Sequence, residues 1–200
     1  TYDRDNRLAD VETSVDNLLW EVEANYEYYQ HGPLARTEIG QRTVQGVDHA
    51  YTLQGWMKGV NAGALNSDHD MGQDGKVDSD HGHFARDAFG YTLGYYDGDY
   101  TPIGEQVSGF KPFEIRYHDT DFGHASPSLY NGNIRHMVSV IQGFDARGYA
   151  YKYDQLNRIS GMEAWGTFNH SNWEWELGGS SGNVLRTGYT YDANDKILKQ

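Results

Sequence analysis

A short pattern that recurs along the chain constrains the fold more than any other feature. It consists of Tyr-Asp, two variable residues, Asn or Asp, a basic residue and an aliphatic residue, and it begins at Tyr2, Tyr153 and Tyr191. Tyrosines also alternate ahead of the last two copies, at Tyr149 and Tyr151 and at Tyr189. A unit that recurs in this way is typical of an array of small supersecondary units with an architectural role.

Each copy has the residues of a tight turn between two strands. The aspartate can accept hydrogen bonds from backbone N–H groups two residues further on. The Asn or Asp three residues later tolerates the left-handed conformation that closes a turn. We expect tyrosines of neighbouring hairpins to pair across strands, each pair contributing about 0.2–1 kcal/mol. The predicted structural residues of the repeat are Tyr2, Asp3, Arg7, Tyr151, Tyr153, Asp154, Arg158, Tyr189, Tyr191 and Asp192.

Apolar and polar residues alternate between the copies, which is the pattern of half-buried strands. The alternation covers residues 20–28, 34–39, 113–117, 134–140 and 173–177. Asn131-Gly132 has the sequence of a tight hairpin turn in which both positions take positive φ. These features predict an all-β fold, an array of antiparallel β-hairpins in a curved or spiralling sheet. Residues 1–200 are expected to form a single repeat segment, with a polar loop at 61–83 and a second one at 118–128.

Composition narrows the classes of function. The chain has a net charge of −13, which argues against binding to nucleic acid, because phosphate recognition needs a basic surface. It contains no cysteine, which excludes a disulfide scaffold and thiolate metal sites. No run of residues has the length and apolarity of a membrane span. The excess of acidic residues fits the surface of an exported protein or an acidic surface that binds metal ions.

The repeats resemble the YD repeats of the Rhs family, which includes the shell subunits of insecticidal toxin complexes and, in animals, the teneurins. Gly148 and Gly188 precede the Tyr-x-Tyr runs, as in that family. Residues 44–61 (VQGVDHAYTLQGWMKGVN) are similar to a segment of bacterial Rhs-repeat proteins, and so are DMGQDG at 70–75 and ARDAFGYTLGYY at 85–96. The resemblance covers most of the chain.

The resemblance implies a ribbon of β-hairpins that spirals into a hollow shell, without enzymatic activity. Such a shell encloses or presents a C-terminal toxin domain, so the expected partners are flanking repeats and a cargo domain of the same polypeptide. The implied location is extracellular or on the cell surface, and the chain is expected to be an interior segment of a longer protein. The alternative is an adhesin, a fibre or a carbohydrate-binding module that recognises a glycan or a protein.

The polar loop contains a partial calcium-binding frame. Asp70, Asp74, Asp78 and Asp80 take positions 1, 5, 9 and 11 of the frame, and Gly75 takes position 6, where the chain turns sharply. Calcium prefers hard oxygen ligands of this kind. These four aspartates are the predicted metal ligands, and Ca²⁺ is the candidate cofactor.

Two other interpretations of this loop stay open. Gly72 stands at position 3, where a ligand is expected, and His81 stands where a bidentate acid closes the loop, so a solvated acidic insertion also fits. His69, His81 and His83 could instead hold zinc together with nearby carboxylates.

Three glutamates near tryptophans raise one enzymatic alternative. Glu163, Glu174 and Glu176 lie close in sequence to Trp165, Trp173 and Trp175, and glycosidases use paired carboxylates beside aromatic side chains. In an extended strand, however, Glu174 and Glu176 point away from Trp173 and Trp175. That arrangement is what a sheet with one solvated face gives, so we expect no enzymatic activity.

Overall fold

The computed structural model of the chain describes residues 1–61, 65–66, 69–102, 128–165, 168–169, 174–175 and 185–199. These residues form strands and turns, and no helix occurs among them. The strands are β1 (Asp10–Thr13), β2 (Glu21–Tyr28), β3 (Leu34–Ile39), β4 (Gln45–Tyr51), β5 (Met57–Val60), β6 (Phe89–Gly94), β7 (His136–Ile141), β8 (Arg147–Tyr153), β9 (Ile159–Trp165), β10 (Phe168–Asn169), β11 (Glu174–Trp175), β12 (Leu185–Gly188), β13 (Thr190–Tyr191) and β14 (Ile197–Lys199).

Ten of the strands form one open antiparallel sheet. Strands β1 to β9 follow one another in chain order, and β12 pairs with β9 at the far edge. Strands β10 and β11 form a separate two-stranded sheet, and so do β13 and β14. The sheet is not closed into a barrel, since β1 and β12 are its two edges. The prediction of an all-β array of antiparallel hairpins is confirmed.

The alternation in the sequence placed several strands correctly. In β2 the exposed glutamates alternate with half-buried residues, and β3 spans residues 34–39 as expected. In β7, His136, Val138 and Val140 share the buried face. The turn at Asn131-Gly132 is present, but only Gly132 has a positive φ, of 87°. The segments 113–117 and 118–128 lie almost entirely outside the described residues, and of 173–177 only Glu174–Trp175 is described.

The buried face of the sheet is unusually rich in charge. Buried apolar residues are few and mostly small, including Ala50, Val138 and Ala150. On β4 the residues that face inward are Gly46, Asp48 and Ala50, not the larger side chains between them. Burying a charged group is costly unless it is paired, so this face must bring opposite charges together.

The polar loop predicted at 61–83 joins β5 to β6, two neighbouring strands of the sheet. Its described part contains no strand. Phe84, with 4% of its surface exposed, packs under the guanidinium of Arg36 at 4.6 Å from the ring centroid. The loop therefore folds back over β3 and β4 and covers their buried face.

Candidate functional site

The register of one hairpin creates the first part of the site. Arg36 on β3 and Asp48 on β4 are directly opposite one another in the antiparallel pair. Both side chains point to the buried face, where Arg36 Nη1 donates to Asp48 Oδ2 at 2.6 Å. Because the two residues are cross-strand neighbours, local pairing of β3 with β4 suffices to form this ion pair.

The loop between β5 and β6 adds three more aspartates, Asp70, Asp74 and Asp87, all of them buried. Arg36 Nη2 donates to Asp74 Oδ1 at 2.7 Å, and the Asp74 backbone N–H donates to Asp70 Oδ2 at 2.8 Å. The carboxyl of Asp87 lies near that of Asp70 and interacts with it electrostatically, which contributes to the raised pKa of Asp87. We call Asp48, Asp70, Asp74 and Asp87 the aspartate cluster.

The loop holds its own shape by hydrogen bonds to its backbone. The hydroxyl of Ser79 donates to the carbonyl oxygens of Gln73 and Lys76, at 2.9 and 2.8 Å. The Nδ1 of His81 lies 2.9 Å from the Gly72 carbonyl oxygen. These bonds fix the loop backbone on both sides of Asp74.

Asn61 fixes the position of Asp48 on β4. Its side chain is fully buried, its Oδ1 accepts the Asp48 N–H at 2.8 Å, and its Nδ2 donates to the Phe89 carbonyl oxygen at 2.9 Å. Its φ of 54° lies in the left-handed region, which asparagine tolerates better than most residues. Asn61 thus connects β4, the start of the loop and β6.

Two glycines leave room for the arginine. A Cβ at Gly46 would overlap Arg36 Nη2, and a Cβ at Gly72 would overlap Arg36 Nη1 and Asp48 Oδ2. The guanidinium therefore lies between a strand backbone and a loop backbone, with glycine at each point of contact. A larger residue at either position would force the buried side chains of Arg36, Asp48 or Asp74 to move.

Burial dominates the electrostatics of the cluster. It raises the pKa of Asp48 to about 6, against the opposing effect of the Arg36 guanidinium. The pKa of Asp74 is also raised by burial, although Arg36 lowers it in part. For Asp87, burial together with the negative charges of Asp70, Asp74 and Asp48 raises the pKa far above its ordinary value. One arginine does not compensate the four carboxylates.

Of the four predicted calcium ligands, the structure brings only two together. Asp70 and Asp74 are buried in the cluster, whereas Asp78 and Asp80 are exposed and lie outside it. Asp78 has a φ of 66° and forms part of a turn. Two of the four predicted ligands, Asp70 and Asp74, therefore belong to the buried cluster, and the prediction that the loop binds calcium stays a prediction.

The residues that the frame missed are Arg36, Asp48 and Asp87. Asp48 lies in a strand, and its one signal in the sequence is a charge at a position that alternation assigns to the buried face of β4. Asp87 follows Arg86 in a segment without periodicity. A frame that counts residues along one loop cannot find carboxylates on a strand that the loop covers only in the folded chain.

The histidine and glutamate alternatives have different outcomes. In the described part of the chain, the one group of three or more metal-ligating side chains is Asp48, Asp70 and Asp74, so the histidines are not gathered with carboxylates there. Glu163 is buried on β9 and pairs with Arg186 of β12 at 3.0 Å. The side chains of Glu174 and Glu176 lie outside the described residues.

The second recurrent feature is the turn of the repeat itself. Asp3 Oδ1 accepts the N–H groups of Asp5 and Arg7, at 2.9 and 2.8 Å. Asp154 and Asp192 make the same pair of bonds in their own turns. The residues that close the turns, Asn6, Asn157 and Asp195, have φ values of 61°, 62° and 62°. The predicted roles of the aspartate and of the following Asn or Asp are confirmed.

The basic residue of the repeat links two hairpins. Arg7 Nε donates to Asp3 Oδ2 at 2.7 Å, and its guanidinium carbon lies 4.3 Å from the ring centroid of Tyr28, on the next hairpin. Arg158 makes the same contacts, with Asp154 at 2.7 Å and with Tyr191 at 4.5 Å. Hydrogen bonding by the backbone of Arg7 and of Arg158 lowers the pKa of Asp3 and Asp154, so both stay ionised.

The tyrosine completes the link through its hydroxyl, which donates to a backbone carbonyl just after the turn of the preceding hairpin. We call this contact the tyrosine clamp. Among the described residues it occurs four times, with oxygen–oxygen distances of 2.8 Å for Tyr28 to Leu8, 2.7 Å for Tyr95 to Met57, 2.7 Å for Tyr153 to Ile134 and 2.6 Å for Tyr191 to Ile159.

Two of the clamps belong to turns that lack the repeat motif. The turn from Thr52 to Trp56 has the backbone bonds of the Asp3 turn, Gly55 has the positive φ, and the Thr52 hydroxyl accepts the Trp56 N–H at 3.2 Å. Trp56 takes the place of arginine, with its ring centroid 5.0 Å from that of Tyr95. The geometry of the repeat turn therefore occurs at more places in the chain than its sequence motif does.

The expected ladder of tyrosine against tyrosine is wrong for the described strands. The register places Tyr151 opposite Met162 and Tyr153 opposite Ile159. Tyr2, at the first turn, is opposite Leu8 and largely exposed, and Tyr189 is half-buried after β12. Tyrosines of the repeat hold hairpins together by clamping backbone and arginine, because residues in consecutive turns meet at the strand ends.

Comparison with known protein families finds no family model that matches the chain, and comparison with curated proteins finds no match. Among the residues that the structure describes, no helix is long and apolar enough to cross a membrane.

Proposed function

We propose that this chain is a structural wall segment of the Rhs or YD-repeat type, which encloses or presents another part of its own polypeptide outside the cell. The observation that carries the proposal is the tyrosine clamp, repeated on Tyr28, Tyr95, Tyr153 and Tyr191. A contact that joins each hairpin to the preceding one suits a wall, because it can be extended by adding hairpins.

The order of the strands supports the same proposal. Each of β1 to β9 pairs with its neighbours in the chain, so no connection between these strands crosses over the sheet. Backbone hydrogen bonds run continuously from β1 to β12, and the clamps add side-chain links at the strand ends. A sheet of this kind excludes proteases by being continuous, and its function needs no catalytic residue.

Limited proteolysis of the full-length protein tests this proposal. The part that the wall encloses should resist a protease to which it is sensitive when expressed alone. Replacing the clamp residues Tyr95 and Tyr153 by alanine should open the wall and expose that part, whereas Tyr149→Ala on the same strand as Tyr153 serves as the control. If every region outside the wall is cleaved as fast in the full-length protein as when it is expressed alone, enclosure is contradicted.

One observation favours the alternative, a glycan-binding or adhesive surface. Tyr96 and Tyr130 stack with ring centroids 4.7 Å apart, and Tyr130 is 72% exposed. Gln54 Nε2 donates to the Tyr96 hydroxyl at 2.6 Å, which adds a polar group to the aromatic surface. Sugars bind to such platforms through their apolar faces. Glycan-array binding by the chain that Tyr130→Ala abolishes would favour this function over the wall.

A further inference from the structure

The geometry points to a binding site for one hard divalent cation, Ca²⁺, formed by Asp48, Asp70 and Asp74, with Asp87 behind Asp70. The site differs from the linear frame in the loop, because it takes one ligand from β4 and leaves out Asp78 and Asp80. It is independent of the proposed function as a wall segment.

The carboxylate oxygens have the spacing of a metal site. One oxygen from each of Asp48, Asp70 and Asp74 lies within 4.8 Å of the other two. Oxygens on opposite sides of Ca²⁺, which binds oxygen at 2.3–2.6 Å, are about 4.6–5.2 Å apart. The three oxygens can therefore contact one ion without rearrangement of the backbone. Ca²⁺ also accepts irregular sets of protein oxygens, whereas Mg²⁺ demands near-ideal octahedral geometry and keeps several waters.

Three carboxylate oxygens in the cluster have no hydrogen-bond partner. They are Asp70 Oδ1, Asp74 Oδ2 and Asp87 Oδ1, on residues that are 2%, 1% and 6% exposed. Buried polar atoms almost always have a partner, and a charged acceptor without one is costly. The other oxygens of Asp70 and Asp74 do have donors, so the unpartnered ones are those left for a ligand.

The charges of the surroundings favour a further cation. When all four aspartates are ionised, Arg36 leaves an excess of three negative charges, and Glu38, 3.4 Å from Arg36 Nε, adds a fourth. His81, on the loop side, is the remaining titratable group that acts on Asp74. A divalent ion would remove most of this excess. Arg36 binds one oxygen each of Asp48 and Asp74, so the second oxygen of each carboxylate is left for an ion.

A bound ion would join the loop to the sheet. Asp48 lies on β4, while Asp70 and Asp74 lie near the middle of the loop and Asp87 at its end. The ligands thus come from three separate stretches of chain that meet only when the loop is folded over β3 and β4. Ion binding is therefore coupled to the folded position of the loop, and the folded state should be stabilised by the free Ca²⁺ concentration.

The test measures Ca²⁺ binding to the EDTA-treated 200-residue chain by calorimetry and by the shift in melting temperature. Calcium sites of extracellular modules bind at about 10⁻⁴ to 10⁻³ M, so the titration should extend to ~10 mM. We expect one Ca²⁺ per chain, a rise in melting temperature, and a weaker effect of Mg²⁺. Asp70→Asn should weaken binding at least ~10-fold, since even losses around a metal site cost about 10–100-fold.

Asp78→Asn and Asp80→Asn are the matched controls in the same loop, and both should bind Ca²⁺ as the unchanged chain does. Asp87→Asn is a second variant in case Asp70→Asn does not fold, which circular dichroism would reveal. Absence of stoichiometric Ca²⁺ binding would overturn the proposal. If the control variants lose Ca²⁺ binding and Asp70→Asn keeps it, the proposal is overturned as well, and the exposed aspartates Asp78 and Asp80 are the ligands.

Discussion

Arg158 shows how one side chain can hold together two neighbouring hairpins. Its Nε donates to Asp154 in its own turn, its guanidinium stacks on the ring of Tyr191, and its Nη1 lies 2.6 Å from Asp195 Oδ1. Lysine cannot make all these contacts, because it has a single point charge and no planar fork. The arginine of the repeat is therefore specified by geometry as well as by charge.

Removing the hydroxyl of a clamp tyrosine should cost the value of one hydrogen bond. Tyr153→Phe leaves the Ile134 carbonyl without its donor and should lower the free energy of unfolding by about 1 kcal/mol in urea denaturation. Tyr149→Phe is the control, because no hydrogen bond of that hydroxyl occurs within the described residues. Equal losses in the two variants would contradict a specific role for the clamp.

Buried tyrosines should make stability sensitive to alkaline pH. Burial raises the pKa of Tyr29 and of Tyr95 to about 12, whereas an unfolded tyrosine ionises near 10. The folded state favours the neutral form of both tyrosines. Their contribution to the free energy of unfolding is therefore complete below about pH 10 and is lost as pH rises through about 12. Tyrosinate absorbance, measured against pH, should show that some tyrosines of the folded chain ionise later than free tyrosine. The Tyr95→Phe variant should have fewer such tyrosines, and the chain unfolded in urea should have none.

The β3–β4 hairpin depends on glycine because it carries a buried arginine. Its register places Arg36 opposite Asp48, and the guanidinium then extends across the strand past Gly46. An ordinary side chain at residue 46 would favour strand formation but would displace the arginine. Gly46 thus weakens the strand but leaves the room that the buried ion pair of Arg36 and Asp48 needs.

Gly46→Ala should therefore destabilise the protein by at least about 1–3 kcal/mol, the usual cost of overpacking a filled interior. Thermal or urea unfolding would measure the loss. Gly188→Ala on β12 is a matched control, since a Cβ there has no heavy atom closer than 4.0 Å and should change stability by less than about 0.5 kcal/mol. A neutral Gly46→Ala variant would show that Arg36 can move away at little cost.

The whole sheet has a centre and two weaker edges. Its most buried residues, Thr92 and Val138, lie on the adjacent strands β6 and β7, while β1 has a single partner strand and β13–β14 form a separate sheet. Each strand contacts chiefly its neighbours in the chain, so local opening at an edge need not disturb the centre.

Hydrogen exchange should follow this arrangement. Amides of β6, β7 and β8 should exchange most slowly, and those of the edge strands β1 and β12 much faster, because edge strands open without global unfolding. Mass spectrometry of the exchanged chain would measure the order. Identical protection across all ten strands would indicate a single cooperative unit and would contradict the independence of the edges.

The β-hairpin architecture could be predicted because its signals are short in sequence. In the Asp3 turn, the aspartate, the left-handed asparagine and the arginine lie within five residues, and the bond from the Asp5 N–H to Asp3 was expected from residue chemistry. The two bonds from Arg7 to Asp3 were not expected. Strand β2 was equally visible in its alternation. The turn from Thr52 to Trp56 was missed, because Thr, Gly and Trp perform the same roles with different side chains.

The residues alone thus specify the strands, the turns and the acidic character of the loop, because alternation and turn chemistry act over a few neighbouring positions. The folded arrangement decides which charges meet. Arg36 and Asp74 are 38 residues apart, and only the return of the loop over β3 and β4 brings them to 2.7 Å. The same return buries Asp70 and leaves Asp78 in solvent, a distinction between two loop aspartates that depends on the surface the loop covers and not on their spacing.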